Sequence, residues 1–116
     1  MVHRRGPTRD APLSEQLFQI LLSLVDEPRH GYGIIQDVAL RAGVTLGAGT
    51  LYSAIKRIRG WGWVEEVDAP GADDDPRRRY YGITPEGRRV VRVEARRLEA
   101  LLRHAHAQNV LPERPA

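Results

Sequence analysis

The sequence predicts a mainly α domain with a small β-hairpin: three helices, the hairpin, then one long C-terminal helix. Three observations predict it. Apolar residues recur at helical spacing in four separate stretches. Two β-friendly runs, "WVEEV" and "RRRYYGI", flank a stretch of turn residues, "DAPGADDDP". Thr84-Pro85-Glu86 then supplies a complete helix start: a hydroxyl cap, proline in the first turn, and a carboxylate at the positive end of the dipole.

Residues 1–12, "MVHRRGPTRDAP", are basic, broken by Gly6, Pro7 and Pro12, and read as a loose arm. From Leu13 the pattern turns helical. Leu17, Ile20, Leu21 and Leu24 form one apolar stripe; Phe18, Leu22 and Val25 form a second beside it. So wide an apolar arc is buried on two sides, and a second subunit is expected on one of them. "DEPRHG" is expected to end this helix. In "GYGIIQDVALRAGV", Ile35, Val38, Ala39 and Ala42 share a face and Gly43 is the stop. "TLYSAIKRIRGWG" reads as a third helix with Leu51, Ala54, Ile55 and Ile58 inward and Gly60 and Gly62 at its end. The last helix is expected from about Pro85 to about Gln108. Its residues Val91, Ala95, Leu98, Leu102 and Ala105 are spaced 4, 3, 4, 3, the seam of a helix that pairs with another. This order of elements describes a winged helix-turn-helix followed by a long dimerisation helix. The expected division is a flexible arm at 1–12, a winged helix-turn-helix at 13–84, a C-terminal dimerisation helix at 85–109 and a frayed tail at 110–116.

The charge pattern points to a partner. The formal net charge is +3, carried by 17 arginines and a single lysine, Lys56. Arginine's planar fork matches phosphate or carboxylate better than lysine does. At about 100° per residue, the face of the third helix opposite Leu51 carries Gly49, Ser53, Lys56 and Gly60. Tyr52 and Arg59 flank it on one side, Thr50 and Arg57 on the other. Residues 44–64 contain no acid, whereas an ordinary solvated face mixes signs. An acid-free face of small residues, hydroxyls and cations suits close approach to double-stranded DNA. In the hairpin's second strand, Ile83 and Tyr81 are expected to face inward, Tyr80 and Arg78 outward, with Arg77 and Arg79 free near the tip to meet phosphates. Asp73, Asp74 and Asp75 fall at that tip and are expected to hold the arginines loosely until phosphates displace them.

At these residues the chain resembles the PadR family of bacterial transcriptional regulators. The matching segments are "HGYGI" (30–34), "GTLYSAIKRI" (49–58), "GW" (62–63) and "RRRYYGITPEGR" (77–88), and the likeness as a whole covers roughly residues 13 to 105. The resemblance implies a winged-helix homodimer of the short subfamily, with one C-terminal helix, that represses from a roughly palindromic operator and is released by an effector of unknown identity. It implies DNA contacts at Tyr52 and Lys56, at Tyr32 on the second helix, and at Arg78 and Arg79 of the wing. The chain departs from the family in having Ser53 where proline is common and "IRGWGW" where an acidic run is usual. The last helix also carries no tryptophan of the kind that stacks flat ligands in some members.

Other functions find little support. There is no cysteine, which excludes disulfides, thiol catalysis and cysteine-rich zinc sites. The longest nearly apolar run, residues 17–25, is too short to span a bilayer, and the N-terminus lacks a signal peptide's apolar stretch. A cytoplasmic protein with no membrane partner and no cofactor is expected. No enzyme is expected either, since the aspartates lie on a loop with no pocket to tune them. His104 and His106 stand about 200° apart on one helix and cannot share a metal. His30, at a helix start, is expected to cap or to be exposed. The competing reading is a winged helix that docks a protein or RNA without operator specificity.

Overall fold

The computed structural model describes residues 12–71, 75 and 77–111. The basic arm up to residue 11, Ala72, Asp73, Asp74 and Pro76 of the hairpin tip, and the tail from residue 112 lie outside them. The elements run α1 (Glu15–Leu22), β1 (Arg29–His30), α2 (Gly31–Ala42), α3 (Ala48–Gly60), β2 (Val64–Val67), β3 (Tyr80–Ile83) and α4 (Pro85–Ala107). The fold is mainly helical with a three-stranded antiparallel sheet in the order β1-β3-β2.

Three of the helices start on a side-chain cap. The Ser14 hydroxyl accepts from the Leu17 amide at 3.2 Å and caps α1. His30 Nδ1 accepts from the Gly33 amide at 3.0 Å and caps α2. That helix ends at Gly43, whose φ of 69° is left-handed backbone that glycine adopts without strain. The Thr84 hydroxyl accepts from the Gly87 amide at 3.0 Å and caps α4, with Pro85 in its first turn.

The core follows the expected stripes of α1 and α3. Leu17, Ile20, Leu21 and Leu24 from α1 and the turn after it meet Leu51, Ala54, Ile55 and Ile58 from α3, all buried. Each fully buried Leu or Ile contributes roughly 1.5–3 kcal/mol from burial. One end of this core is closed by Trp63, just before β2, and by Val64 and Tyr81 of the sheet. Leu46, in the connection before α3, is buried with them.

Three local expectations are corrected. First, the inward strip of α2 is Gly31, Ile34 and Val38, at i, i+3 and i+7. Ile35 and Ala42 are half-buried and Ala39 is exposed, because the strip is set by the close packing of Gly31 at the helix start. Second, the sheet has a third strand. "DEPRHG" does not merely end α1: Arg29 pairs with Tyr81 and His30 with Tyr80. A two-residue strand shows no alternation in sequence. Its presence changes Tyr80 from an outward residue to a half-buried one, whose ring meets His30 edge-on at 5.2 Å. Third, Arg77, Arg78 and Arg79 precede the returning strand rather than beginning it. Only the four residues of β2 are available for pairing, and Pro70 beyond them has no N–H to offer a ladder.

α4 packs on α1 at its N-terminal half and is locked there by a buried carboxylate. Glu94 accepts from Arg97 Nε at 3.0 Å and from the Leu13 amide at 3.2 Å. The Arg97 hydrogen bond, more than the Leu13 one, holds the Glu94 carboxyl below the usual carboxylate range against the opposing effect of burial. Further along, α4 leaves its core. Leu98, Leu101 and Leu102 are 39%, 54% and 47% exposed.

The tightest packing is at the base of the hairpin. A Cβ added at Gly87 would stand 2.1 Å from the Trp63 carbonyl oxygen and 2.8 Å from Ile83 Cγ1. The Trp63 backbone cannot yield cheaply. Gly87→Ala is therefore expected to destabilise the fold by about 2–3 kcal/mol, measured by urea unfolding at fixed protein concentration.

Candidate nucleic-acid interface

α3 presents a continuous polar face to solvent. Thr50, Ser53, Lys56 and Arg57 are all exposed, opposite the buried Leu51, Ala54, Ile55 and Ile58. Among the described residues, no carboxylate lies within ion-pair distance of Lys56 or Arg57. The N-terminus of α3 begins at Gly47 with no side-chain cap, so its first amides are left for an outside acceptor or water.

Tyr52 projects from α3 across to the start of α2. Its ring lies against Gly31, where an added Cβ would stand 2.2 Å from the phenolic oxygen and 2.7 Å from Cζ. The absence of a side chain at Gly31 is what lets the ring lie there, half-exposed. Tyr32, 62% exposed, stands beside it. Together with His30, Tyr81, Asp75 and the Arg77–Arg79 run, these two tyrosines line an open groove of about 540 Å³ between the helices and the wing. A second groove, lined by Tyr52, Ile55, Lys56, Arg59, Gly60 and Tyr81, continues along the C-terminal half of α3. Tyr81 is the floor common to both and is buried as expected. Burial pushes its phenol above the ordinary tyrosine value, so the ring is neutral at physiological pH.

The expected residues thus fall into one surface. Thr50, Ser53, Lys56 and Arg57 supply the helix face, and Tyr32, Tyr52, Arg77, Arg78 and Arg79 supply the groove beside it. Two side chains that the sequence did not assign to this surface join them. His30 reaches the groove because β1 holds it against Tyr80. Glu66 stands over the helix: its Oε1 is 3.3 Å from Arg79 Nη1 and 3.9 Å from Arg59 Nη1. Strand alternation in "VEEV" was the available signal, since it places Glu66 on the same face as buried Val64. Of the aspartate triplet, Asp75 accepts from the Arg77 amide at 3.0 Å and pairs with Arg77 Nε at 3.2 Å. Asp73 and Asp74 lie outside the described residues.

The expected pairing residues lie elsewhere, on α1 and α4. Phe18, Leu22 and Val25 are half-buried at the edge of α1 and the turn that follows. Val91 is half-buried against the chain's own core, Ala95 is exposed, Leu98 and Leu102 are exposed and Ala105 is half-buried. No described helix is long and apolar enough to cross a membrane, and no group of three or more His, Cys, Asp or Glu side chains is assembled for a metal among the described residues.

Comparison with known proteins agrees with this geometry. Residues 20–93 match the Transcriptional regulator PadR-like family. A PadR family transcription regulator from Clostridium difficile superposes with a TM-score of 0.66 at 24% identity, over 78% of this chain and 95% of that one. A PadR-like transcription factor from Bacteroides fragilis gives 0.63 at 26% identity, over 79% and 88%. A Streptococcus transcriptional regulator gives 0.69 at 21% identity, over 81% and 91%. The first and third, below 25% identity, bear on the fold alone. An uncharacterised 37.1 kDa protein in a Streptomyces fradiae transposon is 33% identical over 82 residues, which cover 71% of this chain. The match spans only 22% of that longer relative.

The Tyr52 seat makes a specific prediction. A methyl at Gly31 meets the free end of a side chain rather than backbone, so the ring can swing away. Gly31→Ala is expected to keep the fold while displacing Tyr52 from α2, seen as a rotated ring in a crystal structure of the variant.

Proposed function

The chain belongs to the PadR-like family of transcriptional regulators, and on that premise we propose that it is a sequence-specific DNA-binding repressor. In this reading it acts in the cytoplasm as a homodimer on a palindromic operator and is released by an effector. The observation that carries the DNA reading is the unpaired cationic face of α3 with the tyrosine- and arginine-lined groove next to it. A surface that offers Lys56 and Arg57 without a described carboxylate partner, beside hydroxyls and aromatic phenols, has the chemistry of phosphate and base-edge contact.

The mechanism places α3 in a major groove. Thr50 and Ser53, on its N-terminal half, and Lys56 approach base edges; Arg57 meets a flanking phosphate. Tyr32, Tyr52, Arg77, Arg78 and Arg79 hold the backbone beside that groove. Ser53 offers a hydroxyl that donates or accepts, and so adds a base-reading group. Pairing through Val91, Ala95, Leu98, Leu102 and Ala105, with Phe18, Leu22 and Val25 alongside, brings two copies of α3 to successive grooves about 34 Å apart. The exposed leucines of α4 support that pairing, since a contiguous apolar stripe in water favours a partner. An effector acting near this seam would alter the spacing of the two α3 helices.

The interface is tested first with salt. Duplex affinity is expected to fall with a log–log slope of about −0.9 per phosphate neutralised; a flat response, or no duplex binding at low salt, would favour a protein- or RNA-docking module instead. Lys56→Ala is expected to cost about 1–3 kcal/mol of operator affinity with unchanged thermal melting, measured by fluorescence anisotropy. For the pairing seam, Leu98→Glu is expected to give folded monomers that bind operator poorly, read by analytical ultracentrifugation. A stable dimer of that variant would put the interface elsewhere.

A further inference from the structure

Glu66 has no role in the contacts proposed above, yet it is the described carboxylate that reaches α3's cations. One of its oxygens faces two guanidinium groups from different elements: Arg79, just before β3, at 3.3 Å and Arg59, near the end of α3, at 3.9 Å. The placement follows from register. Glu66 is the cross-strand partner of Tyr81, and Tyr81 is the buried floor against α3. The side chain at position 66 therefore projects toward α3, and Arg79, two residues before Tyr81, shares that side of the strand. All three side chains are open to solvent, so neither pair is strong. A weak, two-armed anion at the junction of helix and wing resembles a phosphate in charge.

We propose that Glu66 is an internal stand-in for a DNA phosphate, holding Arg59 and Arg79 in the free protein and giving them up when duplex binds. This rests on the DNA reading of α3 and the wing. Each arginine gained by the duplex is first lost by Glu66, so contact with phosphates alone brings a smaller net gain. Random sequence, which has no base contacts from α3 to add, is left the more weakly bound. A purely structural brace predicts the opposite sign, because freeing the wing would disorder it and weaken binding.

The test uses the full chain and a random-sequence duplex, titrated by fluorescence anisotropy across a salt series. Glu66→Gln keeps the shape and removes the charge. Glu65→Gln is the control: the same charge is lost one residue away, on the opposite side of the strand, where no ion pair forms among the described residues. Glu66→Gln is expected to bind random duplex about three- to tenfold tighter, the range for two exposed ion pairs. Its salt slope should stay close to that of the unaltered chain, since the same phosphates are neutralised in both complexes. Glu65→Gln should gain less than about twofold, the residue of general repulsion. In an Arg59→Ala, Arg79→Ala background the Glu66→Gln gain should shrink to the Glu65→Gln level. Equal or weaker binding by Glu66→Gln, an equal gain by Glu65→Gln, or a gain that survives loss of both arginines overturns the proposal while leaving DNA binding intact. Failure of the unaltered chain to bind duplex at low salt overturns both.

Discussion

The backbone junction around Trp63, Thr84 and Gly87 ties the working parts of this protein together. The Trp63 carbonyl accepts from the Thr84 amide at 3.0 Å, and the Thr84 hydroxyl donates to the Gly62 carbonyl at 2.6 Å. The same hydroxyl accepts from Gly87 and starts α4. Gly62 adopts a φ of 81°, the left-handed turn that lets α3 end and β2 begin within three residues. Three elements with different tasks therefore meet over a few atoms: α3, the wing, and the helix expected to pair. Gly87 has no side chain because the Trp63 carbonyl occupies its space. A rigid joint of this kind fixes the angle between α4 and α3. In the proposed dimer, that angle decides whether two copies of α3 meet one duplex in register.

Charge is distributed around that joint with the same economy. α2 keeps its one acid paired. Asp37 meets Arg41 at 3.1 Å and Arg29 at 3.7 Å, and Arg29 also donates to the Ser23 carbonyl at 2.7 Å. α4 pairs Glu94 with Arg97. The face of α3 is left cationic, and the acid that approaches it comes from the wing. Exposed pairs such as Arg59 with Glu66 contribute little to stability. In the proposal above, their effect falls on competition for the arginines, which lowers affinity for any duplex.

Much of this was legible in the sequence, for physical reasons that can be named. The inward stripes of α1 and α3 were readable because both helices bury one wide face, and Thr84-Pro85-Glu86 because caps are local chemistry. The membership of Tyr81 in the core followed from alternation with Ile83. β1 was not readable, since two residues carry no period. The inward strip of α2 was misplaced because the position that sets it, Gly31, is defined by Tyr52, twenty-one residues later in the chain. The placement of Arg77–Arg79 before β3 depends on where β2 runs out of partners, a tertiary fact. The candidate interface was legible as a list of residues. Its joining into one surface, through the Tyr52 seat on α2 and the Glu66 bridge, required the fold.

The central claim is that two rigidly mounted copies of α3 read one duplex. Selection of bound duplexes from a random pool tests it most directly. The account predicts enrichment of two inverted half-sites with centres about 10–10.5 base pairs apart, or a whole multiple of that spacing. A single undivided site, a direct repeat, or no enriched sequence would contradict it.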